Sequence, residues 1–182
     1  VDPHMEIILV LPEHLIAYWQ DVCVEHQFDI PHHIVVGGQE RFYSVKNGLA
    51  FAKPNALIAI HDGVRPFVSH STLERCFSLA ELQGNAIPAM PLVDSIREIK
   101  EHESQIVDRT KLRAIQTPQV FQSQIITKAF EQPFLPTFTD EASVVEAYGE
   151  KIHLVEGNVE NIKLTTPFDL LIGEALLQQL KE

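Results

Sequence analysis

Apolar residues in this chain follow two alternating patterns. Short apolar runs at 6–11, 33–36, 56–60 and 85–90 each stop at proline, glycine or a polar residue. The segments that separate the first of these runs carry apolar side chains at helical spacing, such as Phe42, Val45 and Leu49. Such runs predict strands buried on both faces, and strands that alternate with helices predict a mostly parallel sheet flanked by helices. The expected fold class is therefore α/β.

The alternation breaks after the fourth strand. Residues 94–100 and 105–108 alternate polar and apolar side chains around a polar segment, which predicts a protruding β-hairpin. We expect one apolar face on this ribbon, formed by Ile96, Ile99, Ile106 and Val107. Because a two-stranded ribbon rarely stands alone, we favour a dimerisation arm at 94–109 over a solvated excursion.

The remaining helix starts are marked by capping signals. Ser71 with Glu74, Thr139 with its acidic neighbours, and Thr166 with Asp169 each fit a helix N-terminus. No repeat, low-complexity tract or linker interrupts the chain, so residues 1–182 are predicted to form a single domain that includes the arm.

Composition narrows the function classes. The 182 residues are 45% hydrophobic and 21% charged, with a net charge of -11, which disfavours a nucleic-acid or membrane surface. A nucleotide ligand remains compatible with this charge because bound Mg²⁺ brings positive charge of its own. No apolar run approaches the roughly 20 residues that a membrane span needs. The two cysteines form no disulfide framework or ligand pattern, which favours a cytoplasmic protein.

The third strand ends in the most informative stretch, His61-Asp62-Gly63-Val64-Arg65. Ligands of open parallel sheets bind at the carboxyl ends of strands. Asp62 suits Mg²⁺ and Arg65 suits a phosphate, although a turn with a surface ion pair would have the same sequence. Lys163, between the apolar Ile162 and Leu164, suggests an anion partner or a salt bridge at a rim.

The second strand ends in Gly37-Gly38, directly before a helix. A glycine pair there lets a ligand approach the backbone and the helix N–H groups, although glycine pairs are more often simple turns. Arg41 and Ser44 lie one turn apart on that helix and are expected to face the same ligand. The residues alone thus indicate an Mg²⁺-dependent enzyme that handles phosphates, without fixing its reaction.

Taken together, the motifs are more specific. Six short motifs follow one another along the chain: Gly37-Gly38 with Arg41 and Ser44, His61-Asp62 with Arg65-Pro66, Val107-Asp108-Arg109, Thr117-Pro118-Gln119, Thr139-Asp140-Glu141-Ala142 and Asn161-Ile162-Lys163. In this order they resemble the motifs of the 2-C-methyl-D-erythritol 4-phosphate cytidylyltransferases. The resemblance runs from Glu6 to the C-terminus. It implies a Rossmann-like nucleotidyltransferase, homodimeric through interlocked β-arms, which joins CTP to methylerythritol 4-phosphate and releases pyrophosphate.

The resemblance also implies residue roles. Gly37, Gly38, Arg41 and Ser44 would serve the nucleotide, and Asp62 would hold Mg²⁺ and border both substrates. Asp62, Arg65, Thr117, Thr139 and Lys163 would bind the methylerythritol phosphate. Ser95 and Arg109 of one subunit would contact the same substrate in the active site of the other. Asp62, Lys163 and Arg109 would carry catalysis. Ser95 stands where the family usually has threonine, and the hydroxyl is kept.

One family feature has no counterpart before Glu6: an opening strand and glycine-rich loop with an arginine and a lysine that hold the triphosphate. We predict that this segment precedes Val1 in the complete protein, and that a chain lacking it would be impaired because such charge-stabilising groups are worth several kcal/mol. Two alternatives stay open: a cytidylyltransferase for another polyol phosphate, such as ribitol 5-phosphate, and an inactive nucleotide-binding or dimerisation module.

Overall fold

The computed structural model describes residues 5–179, which divide into two compact units. Unit 1 contains the described residues up to Ile58 together with Phe121–Ile152. Unit 2 contains Ala59–Val120 and the described residues from His153 onward. Neither unit is a continuous stretch of sequence.

The strands and helices follow the predicted order, with additions. The strands are β1 (Ile8–Leu11), β2 (His33–Val36), β3 (Leu57–Ile60), β4 (Asn85–Pro91), β5 (Ile96–Lys100), β6 (Glu103–Val107), β7 (Arg113–Ile115), β8 (Gln119–Gln122) and β9 (Leu154–Glu156). The α-helices are α1 (Ile16–Glu25), α2 (Arg41–Leu49), α3 (His70–Gln83), α4 (Ser123–Ala129), α5 (Glu141–Ala147) and α6 (Pro167–Gln179). No helix between residues 5 and 179 is both long and apolar enough to cross a membrane.

In unit 1, β1 and β2 form a parallel pair in which Leu9 lies opposite Ile34. The predicted strand–helix–strand crossover through α1 is therefore confirmed. The core beneath α2 is aromatic: the Phe42 and Phe130 rings stack with centroids 4.7 Å apart. Val145 of α5 is fully buried in the same unit. These apolar contacts fix the start of α2, where the candidate nucleotide residues lie.

In unit 2, β4 is the central strand, and its first five residues are buried. It pairs in parallel with β9 and antiparallel with β7. The five-stranded sheet has the order β3-β8-β4-β7, with β9 also beside β4. The expectation of a mostly parallel sheet is not confirmed, because the sheet is mixed. After the hairpin the chain returns directly along β4 as β7, without the helical crossover that a parallel neighbour would need.

The predicted hairpin is present as β5 and β6, but its apolar residues do not share one face. Residues paired across an antiparallel ladder lie on the same face, and neighbours along a strand lie on opposite faces. Ile96 pairs with Val107, whereas Ile106 pairs with Arg97, two residues from Ile99. One face therefore carries Ile96 and Val107, and the other carries Ile99 and Ile106. The latter two are 70% and 77% exposed.

Two of the three predicted helix caps are confirmed. The Asp140 carboxylate accepts a hydrogen bond from Ser143 N at 2.9 Å, and Asp169 accepts from Thr166 N at 2.7 Å. The third helix, α3, begins at His70 and is capped by Ser69, whose hydroxyl accepts from Thr72 N. The predicted cap at Ser71 is wrong because that residue already lies within the helix.

Candidate functional site

The glycine turn of unit 1 is held by α2 itself. Gly38 N donates to the Ser44 hydroxyl at 3.0 Å, and that hydroxyl lies 3.2 Å from the carbonyl of Glu40, to which it can donate. A Cβ on Gly38 would lie 2.3 Å from Cβ of Tyr43, and one on Gly37 would lie 3.1 Å from Ser44 Oγ. Gly38 is therefore required by the close approach of the turn to the helix, whatever binds there, whereas a Cβ at position 37 would need only a small shift of Ser44.

Arg41, predicted beside the nucleotide, forms a two-pronged ion pair with Glu141. One guanidinium nitrogen contacts Oε1, and Nη2 donates to Oε2 at 3.0 Å. The Glu141 side chain is only 2% exposed and that of Arg41 is 38% exposed. A buried carboxylate needs such a partner, so this pair fixes the start of α2 to the start of α5.

Thr139, the remaining predicted residue of unit 1, lies directly before the cap of α5. Its backbone N–H donates to the Ser143 hydroxyl at 3.1 Å, and the residue is exposed. The capping interactions of Asp140 and Ser143 thus set the direction of the chain at Thr139. We refer to Gly37, Gly38, Arg41, Ser44, Thr139 and Glu141 as the unit 1 group.

The predicted carboxylate of unit 2 lies in a tight turn after β3. Arg65 N donates to the Asp62 carbonyl at 3.0 Å, which closes the turn. Lys163 Nζ lies 3.1 Å from Asp62 Oδ2, and Arg65 Nε lies 3.6 Å from the same oxygen. The structure therefore brings together Asp62, Arg65 and Lys163, as the motifs predicted, with the carboxylate between two cations.

The segment that carries Lys163 is held against this turn. Leu164 N donates to the carbonyl of Val64 at 2.9 Å. Arg65 Nη1 donates to the carbonyl of Asn161 at 2.7 Å. The Arg65 side chain is 14% exposed, whereas that of Lys163 is 46% exposed. The Arg65 guanidinium is thus engaged by a backbone carbonyl. Lys163 is the cation that is more accessible to solvent and to a ligand.

Thr117 joins the same turn through its hydroxyl. Thr117 Oγ1 accepts a hydrogen bond from Asp62 N at 2.9 Å and lies 2.8 Å from His61 Nδ1. The threonine is only 5% exposed. Although part of His61 is exposed, loss of water around its ring lowers the imidazole pKa, against a smaller opposing effect of a backbone hydrogen bond with Arg65. We refer to His61, Asp62, Arg65, Thr117 and Lys163 as the unit 2 group.

The two hairpin residues lie at the base of the arm. Ser95 is exposed, one residue before β5. The Arg109 guanidinium donates to the carbonyl of Val93. Asp108 caps the short turn that follows, since its Oδ1 accepts from Thr110 N at 3.1 Å. This hydrogen bonding, chiefly from the Thr110 side chain, lowers the pKa of Asp108.

Sequence reasoning missed two members of these groups as site residues. Glu141 stands out in the sequence only as part of the motif at 139–142, because nothing in a helix-capping sequence reveals that the carboxylate becomes buried. His61 directly precedes Asp62, and the sequence pattern indicates only that it lies at the end of a strand. Only its position in the sequence could have suggested a role, since a residue next to the candidate metal-binding residue Asp62 can help to hold the Asp62 backbone.

The fold and the two groups define a class of protein. A glycine turn that leads into a helix suits a nucleotide, and a carboxylate between two cations at a strand end suits metal-bound phosphates. Together they indicate an α/β enzyme that handles nucleotides and phosphates.

Comparison with known proteins identifies the family within that class. A sequence model of the family described as 2-C-methyl-D-erythritol 4-phosphate cytidylyltransferase (IspD) matches residues 3–179. The chain belongs to this family. Proteins with that name from Bacteroides thetaiotaomicron and Bacteroides fragilis are 49% and 51% identical to it, and each alignment covers 97% of this chain and 80% of the relative.

Solved structures agree. The crystal structure of 4-diphosphocytidyl-2C-methyl-D-erythritol synthase from Anaerococcus prevotii has a TM-score of 0.82 and 29% identity, covering 95% of this chain and 78% of that one. The 2-C-methyl-D-erythritol 4-phosphate cytidylyltransferase from Thermus thermophilus has a TM-score of 0.78 and 30% identity, covering 95% and 82%.

Proposed function

We propose that this protein transfers CMP from CTP to 2-C-methyl-D-erythritol 4-phosphate and forms 4-diphosphocytidyl-2-C-methyl-D-erythritol for isoprenoid synthesis. The supporting observation is the family match over residues 3–179. A phosphate oxygen of the sugar alcohol forms a bond to the α-phosphorus of CTP. The bond from that phosphorus to the bridging oxygen breaks, and pyrophosphate leaves with the electron pair.

The unit 2 group suits the phosphate that attacks. An in-line displacement depends on positioning and on charge neutralisation more than on covalent catalysis by the protein. Lys163 is half-exposed and flexible enough to leave the Asp62 carboxylate for a dianionic phosphate. Arg65 is bound to the Asn161 carbonyl, so its contribution is to keep the Lys163 segment in place.

We infer that Asp62 binds Mg²⁺ together with the triphosphate. Within residues 5–179 no cluster of three or more His, Cys, Asp or Glu side chains is arranged to hold a metal. Mg²⁺ does not require such a cluster, since this ion is commonly bound by one or two carboxylates, water and substrate phosphates, and Asp62 would be one of its protein ligands. When bound, Mg²⁺ would neutralise charge on the phosphates.

The unit 1 group suits the nucleotide. Gly37 and Gly38 offer a backbone without side chains at the start of α2, and Ser44 adds a hydroxyl. Arg41 would act mainly by holding this turn through Glu141, because both ends of its guanidinium are directed at that carboxylate. We propose that Thr139, held by the cap of α5, contributes a hydroxyl to the sugar-alcohol phosphate.

We also propose that the enzyme is a homodimer formed through the hairpin. Ile99 and Ile106 lie exposed on one face of an isolated ribbon, where a second subunit would bury them. Ser95 and Arg109, at the base of the ribbon, would then serve the partner's active site. Arg109 would exchange the Val93 carbonyl for a substrate phosphate.

The reaction is tested by measuring pyrophosphate release from CTP by the full-length protein. We expect turnover with methylerythritol 4-phosphate that exceeds turnover with ribitol 5-phosphate. A preference for ribitol 5-phosphate would reassign the substrate, and no turnover with either would favour the inactive module. Asp62→Asn should stay folded and lose metal-dependent turnover. Turnover like that of the wild type in this variant would refute the metal role.

Sharing of the active site is tested by mixing two impaired variants. Arg109→Ala and Lys163→Ala each remove a charge-assisted contact, worth roughly 1.5–3 kcal/mol in transition-state stabilisation. If the residues serve one site from different subunits, a mixed dimer has one site with both lesions and one intact site. Activity should then recover on subunit exchange towards half of wild type. If exchange is demonstrated without recovery, both residues act within one subunit.

A further inference from the structure

The Thr117 hydroxyl links two neighbouring residues at the end of β3. It accepts from Asp62 N at 2.9 Å and lies 2.8 Å from His61 Nδ1. With only 5% of the threonine exposed, the hydroxyl is almost excluded from solvent. Its hydrogen bonds are therefore determined by these protein groups.

Counting protons fixes the direction of one bond and leaves the direction of the other to the tautomer of His61. A threonine hydroxyl has one hydrogen to donate, and the Asp62 N–H can only donate. The Thr117 hydrogen is therefore available for His61 Nδ1, which acts as an acceptor when the neutral ring carries its proton on Nε2.

We propose that His61 is a positioning residue, whose Nδ1 orients the Thr117 hydroxyl so that this hydroxyl holds the backbone of Asp62. The inference rests on the role proposed above for Asp62. It replaces the role that the family resemblance implies for Thr117, which is contact with the methylerythritol phosphate. Phosphate oxygens accept hydrogen bonds, and in the proposed arrangement the one Thr117 hydrogen is donated to His61 Nδ1. Thr117 thus positions Asp62 and does not bind the substrate.

The first test is spectroscopic and does not depend on catalysis. In the ¹⁵N-labelled full-length protein, the side-chain ¹⁵N shifts of His61 should show an unprotonated Nδ1 and a protonated Nε2. Thr117→Val, which removes the hydroxyl at almost constant volume, should speed exchange of the Asp62 amide hydrogen about fivefold, as expected for one lost hydrogen bond. Thr117→Ser should restore slow exchange. A protonated Nδ1 would overturn the proposal.

The second test separates positioning from binding by kinetics. His61→Phe and Thr117→Val should each lower kcat about fivefold, with little change in the KM for either substrate. The double variant should be no worse than either single variant, because both remove the same link. His61→Asn, whose amide oxygen can lie near the position of Nδ1, should recover most of the activity. His61→Gln, which reaches towards Nε2 instead, should not.

The outcomes distinguish failure of this inference from failure of the proposed role of Asp62. If Thr117→Val raises only the KM for the sugar-alcohol phosphate and His61→Phe behaves as wild type, Thr117 binds substrate and the inference is wrong. If Asp62→Asn retains full turnover, the role of Asp62 is wrong. In that case the ¹⁵N shifts and the amide exchange still decide whether His61 and Thr117 hold its backbone.

Discussion

The ion pair between Arg41 and Glu141 allows a quantitative prediction. Arg41→Met keeps the aliphatic part of the side chain and removes the charge. Breaking a buried pair by removing one partner costs about 3–5 kcal/mol. Because Arg41 is 38% exposed, we expect the lower end, about 3 kcal/mol. For a protein of this size, that loss lowers Tm by about 6–12 °C.

Thermal unfolding of matched variants measures this cost. Lys53→Met breaks an exposed pair of the same unit, with Glu6 at 2.6 Å, and should lower Tm much less than Arg41→Met. Arg41→Met combined with Glu141→Leu replaces the pair by apolar side chains and should be less destabilised than Arg41→Met alone. An equally unstable double variant, or a single variant within about 0.5 kcal/mol of wild type, would refute the reasoning.

The same variants test how Arg41 acts on the nucleotide. If Arg41 works by holding α2 to α5, the KM for CTP should return towards the wild-type value in the double variant. If Arg41 contacts the nucleotide directly, both variants should share the same rise in KM, because the charge is absent from both.

Further predictions concern the glycine turn and the arm. Gly38→Ala should lower Tm by several degrees because its Cβ would overlap Tyr43. Gly63→Ala should leave Tm unchanged, because no atom lies within 4 Å of the new Cβ. Equal Tm values for the two variants would contradict this packing. Ile99→Ser with Ile106→Ser should shift sedimentation towards the monomer, while Glu98→Ser on the opposite face should not. A wild-type sedimentation profile in the double variant would exclude this face from the interface.

Hydrophobic patterning predicted much of the fold, and its failures have physical causes. The predicted strand at 33–36 is the observed β2. Strand β7 was not predicted, because three exposed residues show no periodicity. Strand β8 was not predicted either. It begins at Gln119, directly after a proline, and a polar residue in that position does not indicate a buried strand, although Gln119 is fully buried. Such strands are stabilised by partners distant in the sequence, and a local pattern cannot show them.

The candidate site divides in a similar way. Asp62 and the glycine pair stand at predicted strand ends, so general rules about parallel sheets find them. The contact between Asp62 and Lys163 joins segments far apart in sequence and could be expected only from the family motifs. The pairing of Arg41 with Glu141 was not expected, since burial of a carboxylate depends on packing that the helix sequence does not encode by itself.

The interleaving of the two units has a consequence for biosynthesis. During translation, Ile8–Leu11 and Arg41–Leu49 leave the ribosome long before residues 121–152, which complete their unit. Until then α2 lacks the Phe130 ring and the Glu141 carboxylate, so its apolar face stays uncovered. The first unit can close only after much of the second has been synthesised. A nascent chain that stalls before Glu141 would therefore expose the helix N-terminus on which the nucleotide residues depend, and would be a substrate for chaperones.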